Sequence, residues 1–299
     1  MHLKSSPGPM YRPANRRRVD HGFRWKDGKR IAVLVNVPFE GWSEGAHSGI
    51  GPMGNVLKPG VLDTNAVSWG MYGAVRGIDR LLRVLDHHAV KASVMVNGVI
   101  AELYPEAVRR AAGAGHCILA HAYAMDTIPA YLGRDAELAN IRRTVQLIEE
   151  AIGHKPKGWI SPRGTPSENT SELLLQEGFR WHGDAYDDDL PYLETHAAGS
   201  LVAIPLTMEI NDMPWSVRHG NAARELVPLL TDTLRWLSQR EPGASMIDIT
   251  AHTHVYGRPA GAAIFDHLIR TAKSRADVWL ATRDEVCTYM EDHFRGAAA

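Results

Sequence analysis

The sequence predicts an α/β protein built from repeated βα units. Short β-branched or apolar runs recur along the chain, and longer segments with helical periodicity separate them. The chain has 299 residues, which is long for an average domain but normal for one (β/α) barrel. We therefore expect an extended N-terminal arm over residues 1–29 and a single folded domain over residues 30–299.

The first 29 residues are rich in proline and arginine and show no periodicity, which is typical of an extended arm. Three consecutive arginines, Arg16, Arg17 and Arg18, could bind an anion. A solvated arm, or one that contacts another subunit, is the preferred interpretation.

Eight apolar runs are expected to form strands, because each is short and bounded by turn residues. They cover residues 30–36, 91–97, 117–122, 157–162, 180–185, 201–206, 246–252 and 278–282.

Six segments between these runs have the periodicity of helices that bury one face. They cover residues 68–88, 105–115, 135–153, 167–178, 222–240 and 262–274. This alternation indicates either a closed (β/α) barrel or an open doubly wound sheet. Both folds place their functional residues at the carboxyl ends of the strands.

Composition excludes several classes of protein. Acidic and basic residues nearly cancel to a net charge of −1, so neither a nucleic-acid surface nor an acidic tail is indicated. Cys117 and Cys287 are the only cysteines and no signal peptide opens the sequence, which favours a reducing cytoplasm. No apolar run approaches the ~20 residues of a membrane span, so a soluble protein is expected.

The predicted strand ends carry most of the candidate functional residues. An apolar run is repeatedly followed by a polar or ionisable side chain, and we expect these side chains to converge. They are Asn36, Glu40, Asn97, His121, Ser161, Arg163, Asp184, His252 and His254.

Two common kinds of site are absent from the sequence. No glycine-rich phosphate loop follows the first strand, and no G-x-S-x-G elbow occurs. The remaining histidines, carboxylates and arginine suit hydrolysis by an activated water.

Five segments together resemble the polysaccharide deacetylase (NodB-like) superfamily. They are "GHCILAHAYAMD" (115–126), "GWISPRG" (158–164), "HGDAYDDDLPY" (182–192), "PLTMEINDMPW" (205–215) and "AHTHVYGRP" (251–259). More narrowly, their order is similar to the allantoinase-type and cyclic-imide-hydrolase branch. The resemblance implies a distorted (β/α) barrel with seven or eight parallel strands. It also implies hydrolysis of non-peptide C–N bonds.

The chain departs from the metal-dependent members of that superfamily at two places. Those members carry paired aspartates after the first strand, where this sequence has Asn36, Pro38 and Glu40. They also use His-x-x-x-His, where this sequence has His121 and then Met125. A thioether is a poor ligand for a hard or borderline divalent ion, so two of the expected ligands are missing.

Two chemistries stay open from the sequence. A divalent metal such as Zn²⁺ could use Glu40, His121, His252 and His254, provided the strand runs on far enough for both later histidines to point the same way. Without a metal, Glu40 or His252 would be the general base or acid.

In the metal-free interpretation, the other strand-end residues assist the acid and base. Arg163 or Asn36 would stabilise the oxyanion, and Asp184 would orient His252 or Arg163. Tyr72, Asn211, Asp212, Trp215 and His254 are further candidates for contact with the substrate. Asp187 to Asp189 are expected to form a hydrogen-bonded loop rather than a calcium site.

The predicted function is ring opening of a small cyclic amide, imide or ureide by a cytoplasmic hydrolase. The resemblance also implies a homo-oligomer, either a dimer or a tetramer. The alternatives are an N-deacetylase acting on an N-acetylated sugar and a catalytically inactive barrel that binds a small ligand.

Overall fold

The strand Ile31–Phe39 organises the sheet, because all nine of its residues are buried and it pairs with three other strands. The computed structural model describes residues 15–296, and residues 1–14 of the predicted arm lie outside the described range. The strands are β1 (Arg16–Arg17), β2 (Ile31–Phe39), β3 (Ser93–Val96), β4 (Cys117–Ala120), β5 (Gly158–Trp159), β6 (Trp181–His182), β7 (Tyr192–His196), β8 (Gly199–Ala203), β9 (Ser245–Thr250) and β10 (Val278–Ala281).

The eight predicted strands are confirmed as β2 to β6, β8, β9 and β10, and their pairings are parallel. The ladder runs β9–β2–β3–β4–β5–β6–β8, and β10 pairs with the first half of β2. A parallel bridge between Asn211 and Thr250 then links the segment after β8 to β9. This contact closes the ladder, so the distorted (β/α) barrel is confirmed.

The hairpin of β7 and β8 was not predicted, and β7 also pairs antiparallel with β1 of the arm. Residues 15–29 therefore lie against the barrel. Phe23 and Trp25 are buried there with residues of the last helix, and the Trp25 indole donates to the carbonyl of Ser245 at 2.8 Å. Because Ser245 begins β9, this cluster covers the amino-terminal end of the barrel and leaves the carboxyl end for the site. The domain division itself stays a prediction.

The helices are α1 (Thr64–Tyr72), α2 (Ile78–His87), α3 (Gly98–Leu103), α4 (Pro105–Gly113), α5 (Arg134–Ile152), α6 (Thr170–Gln176), α7 (Leu226–Gln239), α8 (Pro259–Lys273) and α9 (Arg283–Gly296). A π-helical segment, Gly73–Gly77, joins α1 to α2, so the predicted helix 68–88 is continuous but locally wider. None of the helices described within residues 15–296 is long and apolar enough to cross a membrane.

Two helices were not predicted. The six residues of α3 are too few to display a helical period. In α9, by contrast, Val286, Met290 and Phe294 recur every four residues and are all buried, which is a signal that the sequence does contain.

Candidate active site

A cavity of about 180 Å³ opens at the carboxyl ends of the parallel strands. This is where both folds considered from the sequence would place a site. The acidic, basic or amide side chains that line it are Glu40, His121, Arg163, Asn211, Arg218 and His252. Five of these six residues were predicted from the sequence.

Glu40 follows β2 and lies at the centre of the polar part of the cavity. The next backbone N–H, of Gly41, donates to the Asn97 side chain at 3.0 Å, and the Asn97 amide donates to the carbonyl of His121. Asn97, predicted as a strand-end residue, therefore ties the loop of Glu40 to the loop of His121.

His121 follows β4, and its ring orientation is fixed by the backbone. Its Nδ1 lies 2.6 Å from the carbonyl oxygen of Ile160. Because a carbonyl only accepts, Nδ1 must carry the proton. The other nitrogen, Nε2, lies 3.9 Å from Oε1 of Glu40. Nε2 is therefore the atom of His121 that faces the carboxylate.

His252 lies beyond the end of β9 and is held by Asp212. Oδ1 of Asp212 lies 2.6 Å from Nδ1 of His252, and Oδ2 accepts from the backbone N–H groups of His252 and Tyr256 at 2.8 and 3.1 Å. Nε2 of His252 is then left facing Oε1 of Glu40 at 3.4 Å. Asp212 is thus the residue that orients the histidine.

The ionisation of this cluster follows from its burial and its charges. Burial would lower the pKa of His252, but Asp212 and Glu40 together raise it to about 10. For Glu40, desolvation acts to raise the pKa, but His252 and His121 hold it well below the ordinary value. At neutral pH the site therefore contains a buried carboxylate anion beside an imidazolium cation.

The prediction that Asp184 orients His252 or Arg163 is wrong. Its carboxylate accepts from the backbone N–H and the hydroxyl of Ser161, at 2.7 and 2.6 Å. Burial raises the pKa of Asp184. Asp184 therefore fixes the loop that follows β5 and does not contact the catalytic candidates named from the sequence.

His254 does not line the cavity, so the predicted substrate contact is not made in this arrangement. Its ring is fully buried between the edges of Trp42 and Trp69, and Nδ1 lies 3.9 Å from Oε2 of Glu40. Both ring nitrogens lack a hydrogen-bond partner among the described residues. Burial lowers the pKa of His254 to about 4, which keeps the ring neutral behind Glu40.

The two histidines do not lie on one face of a continuous strand, because the strand ends at Thr250. The backbone N–H of Gly257 returns to the carbonyl of His252 at 3.2 Å, which makes a turn of residues 252–257. A Cβ at Gly77 or Gly257 would overlap the Thr253 carbonyl oxygen. Glycine at both positions thus lets the helix and the turn approach closely.

Asn36 is buried inside the barrel and does not reach the cavity, so its predicted role as an oxyanion donor is wrong. Its amide donates to Asp248 at 2.6 Å, and its oxygen accepts from Arg283 at 3.0 Å. The structure uses Asn36 in an internal ion-pair network.

Three more predicted substrate-binding residues lie outside the cavity lining: Asp212, which orients His252, and Tyr72 and Trp215. Tyr72 packs under the guanidinium of Arg258, 4.0 Å from its ring, and its hydroxyl accepts from Arg80. The Trp215 indole donates to the carbonyl of Ala222 at 3.1 Å. All three predictions are wrong for this arrangement, because other residues of the chain occupy these side chains.

Asn211 and Arg163 do line the cavity. Among the described residues, Nδ2 of Asn211 has only the weakly accepting sulfur of Met208 as a partner, at 3.9 Å, while its oxygen accepts from the backbone N–H of Met213 at 3.0 Å. Arg163 has a positive φ of 57° and makes no hydrogen bond or ion pair with any residue between 15 and 296.

The four candidate metal ligands do not fit a zinc ion as they are placed. Tetrahedral zinc holds its ligand atoms roughly 3.4 Å apart, because its bonds are ~2.1 Å long. Over the described part of the chain, the group whose ligand atoms all lie within 4.8 Å of one another is His87, His88 and Asp266, on the surface of α2 and α8. The choice between no cofactor and a divalent metal stays a prediction.

The sequence reasoning missed several residues of the site. Arg218 ends a second π-helical segment, Met213–Arg218, and four methionines line the cavity: Met95, Met125, Met208 and Met213. Met125 had been considered only as a lost metal ligand. The prediction of a hydrogen-bonded loop at Asp187–Asp189 is confirmed, because Asp188 accepts from the backbone N–H of Leu190 at 3.0 Å and Asp187 accepts from the Tyr192 hydroxyl at 2.8 Å. The loop also binds the arm, through ion pairs of Arg16 with Asp187 and of Arg18 with Asp188.

Sequence comparisons find similarity to polysaccharide deacetylases. Residues 72–182 match the family model described as polysaccharide deacetylase. A peptidoglycan deacetylase of Helicobacter pylori is 24% identical over 252 residues, which cover 74% of this chain and 85% of that protein. A Schizosaccharomyces pombe protein described as a polysaccharide deacetylase is 25% identical and covers 88% of this chain and 90% of its own.

Solved structures give the same picture. The crystal structure of Puue allantoinase has a TM-score of 0.80 and is 25% identical to this chain. The match covers 95% of this chain and 94% of the allantoinase chain. A structure from Mycobacterium smegmatis described as a polysaccharide deacetylase has a TM-score of 0.78 and is 26% identical to this chain. The match covers 92% of this chain and 94% of that protein's chain. The resemblance stated from the sequence is therefore confirmed. So is the enzyme class, a hydrolase of carbon–nitrogen bonds other than peptide bonds.

Proposed function

We propose that this relative of the polysaccharide deacetylases and allantoinase opens the ring of a small cyclic amide, imide or ureide by adding water across a C–N bond. The observation that carries the proposal is the buried pair of Glu40 and His252, 3.4 Å apart beside a small cavity. A carboxylate anion and an imidazolium cation are the base and the acid that amide hydrolysis requires.

The base side of the reaction belongs to Glu40 and His121. Their facing atoms are 3.9 Å apart, which is too long for a direct hydrogen bond but suits a water held between them. Glu40 takes a proton from that water as its oxygen attacks the carbonyl carbon. Nδ2 of Asn211, whose partner among the described residues is a thioether, would donate to the developing oxyanion.

The acid side belongs to His252. Its Nε2 proton passes to the ring nitrogen as the C–N bond breaks, and Asp212 holds the ring through Nδ1. Glu40 then returns its proton to His252 across the 3.4 Å gap, which restores both groups. The product is the open-chain amine, amide or urea with a new carboxylic acid, which ionises to water.

The lining of the cavity favours a small substrate over a sugar polymer. The cavity holds about 180 Å³, and a second cavity of about 450 Å³ shares Glu40 and Trp42 with it. Methionine, isoleucine and leucine side chains form much of the lining, and they offer little to the hydroxyl groups of a sugar. The match of residues 72–182 to the polysaccharide deacetylase model supports N-deacetylation as the second candidate.

A substrate panel tests the proposal. We expect purified protein to hydrolyse at least one of succinimide, hydantoin, dihydrouracil and allantoin, and to leave N-acetylglucosamine oligomers intact. The Glu40→Gln variant should lose about 10²–10⁴-fold in kcat with an unchanged unfolding transition. Deacetylation of the sugar oligomers alone would favour the second candidate. No turnover by a folded protein on any member would favour an inactive ligand-binding barrel.

A further inference from the structure

Two arginines at the cavity have no acidic partner among the residues that the structure describes. Arg163 follows β5 and Arg218 ends the π-helical segment Met213–Arg218, so different elements bring both guanidinium groups to one cavity. Between residues 15 and 296, neither makes an ion pair or a side-chain hydrogen bond, although both are exposed enough to meet a ligand.

The charge balance of the cavity is positive. Glu40 is the single acidic residue among those that line it, and the His252 cation already faces that carboxylate. A guanidinium group is permanently charged in proteins, so Arg163 and Arg218 add two positive charges that nothing in the lining neutralises. Such a surface attracts a negatively charged ligand.

The backbone at Arg163 supports a binding role. Its φ of 57° is followed by a φ of 59° at Gly164, so two successive residues adopt the left-handed conformation. The backbone N–H of Gly164 donates to the carbonyl of Ser161 at 2.9 Å, and Asp184 holds Ser161 in turn. Arg163 thus adopts a left-handed backbone conformation that glycine would adopt with less strain. Residues with such strained backbones cluster at ligand sites.

We infer that the substrate carries a carboxylate, which Arg163 and Arg218 bind while the scissile amide lies at Glu40 and His252. This inference rests on the proposed function and narrows its substrate class to cyclic amides with an acidic substituent and an otherwise weakly polar body. Arg163 then acts as a substrate anchor. An exposed guanidinium in water would stabilise an oxyanion little. Asn211 is buried, as Glu40 and His252 are, so it is the better oxyanion donor.

Matched pairs of ligands test the inference. Dihydroorotate and dihydrouracil differ by one carboxylate, as do hydantoin-5-acetate and 5-methylhydantoin. For the unaltered enzyme we expect kcat/KM to be at least about tenfold higher for the acid of each pair. Arg163→Gln and Arg218→Gln should each reduce that ratio, mainly through KM. Arg240→Gln, outside the cavity, is the matched control and should keep the ratio.

A binding measurement separates this inference from the ring-opening proposal. Orotate and uracil have conjugated rings that resist hydrolytic opening. Titration calorimetry with these two compounds therefore measures binding of the carboxylate without turnover. Tighter binding of orotate that both Arg163→Gln and Arg218→Gln weaken supports the carboxylate site, even if no cyclic amide is hydrolysed. Equal binding of orotate and uracil together with equal kcat/KM within each pair would overturn it. Cleavage of neutral rings alone, with product inhibition relieved in Arg218→Gln, would assign the arginines to the product carboxylate and also overturn it.

Discussion

Two buried polar clusters lie close to β2 and β9, one beside the strands and one beyond their carboxyl ends, and they differ in how well their hydrogen bonds are satisfied. In the barrel interior, Arg283 donates to Asn36 at 3.0 Å, to the carbonyl of Ile204 at 2.9 Å and to Asp248 at 2.5 Å. The second oxygen of Asp248 accepts from the backbone N–H of Thr207 at 2.8 Å. Each charged group there is fully partnered and sealed from solvent.

The second cluster, Glu40, His121 and His252, is only partly satisfied. Its members face one another across 3.4 to 3.9 Å, and the two nitrogens of His254 behind them have no partner among residues 15–296. Buried polar groups normally have hydrogen-bond partners. Groups beside a cavity that lack such partners can therefore bind a water or a substrate. The comparison suggests that satisfied charges hold the barrel together, whereas unsatisfied charges do the chemistry.

The largest expected effect breaks the interior cluster. Asp248→Asn leaves the Arg283 guanidinium buried without its anion, and we expect a loss of about 3–5 kcal/mol in the free energy of unfolding. Urea denaturation measures this. Asp232→Asn, which removes the exposed partner of Arg235, is the matched control and should cost less than about 1 kcal/mol. Loss of kcat without loss of stability in Asp248→Asn would contradict the division between the clusters.

The next effect concerns the acid. Asp212→Asn removes the charge that helps to raise the pKa of His252 to about 10, so the alkaline limb of the kcat–pH profile should move to lower pH. Above the new pKa, activity should fall about tenfold per pH unit. Because the folded pKa exceeds the ordinary 6.5, this ionisation stabilises the fold fully below pH 6.5, and the contribution is lost as the pH rises towards 10. If the alkaline limb of the kcat–pH profile is the same in Asp212→Asn as in the unaltered enzyme, His252 is not the general acid.

The smallest effect concerns the arm. Arg16 and Arg18 pair with Asp187 and Asp188, next to Tyr186, which lines the cavity. Arg16→Ala combined with Arg18→Ala should raise KM a few-fold through Tyr186 and lower stability by no more than about 1 kcal/mol per exposed pair. Arg134→Ala, whose exposed partner is Glu172, is the control. Identical KM values in both variants would show that the arm does not position Tyr186.

Much of the fold could be predicted because apolar periodicity is local. The β2 run "IAVLVNVPF" alternates between side chains that face the outer helices, such as Val33, and side chains that face the interior, such as Leu34. The short hairpin strand Tyr192–His196 carries a glutamate and a histidine, so its pattern was too polar to be recognised.

The candidate site was predicted only in part. Glu40, His121 and His252 were found because polar residues at strand ends must converge in a parallel barrel. Asp184 and Asp212 are both aspartates after strands, and nothing local distinguishes them. Only the closing contact of Asn211 with Thr250 brings Asp212, rather than Asp184, to His252.

The sequence by itself therefore determined the repeated βα architecture, the strand ends and the residue types available for hydrolysis, because these depend on spacing along one chain. Tertiary structure decided that Asp212 orients His252 and that His254 is buried against Trp42 and Trp69. It also decided that Arg163 and Arg218 have no acidic partner among the described residues. Those outcomes depend on distances between residues far apart in sequence, such as Asp212 and His252 or Asn36 and Arg283, and side-chain periodicity carries no information about them.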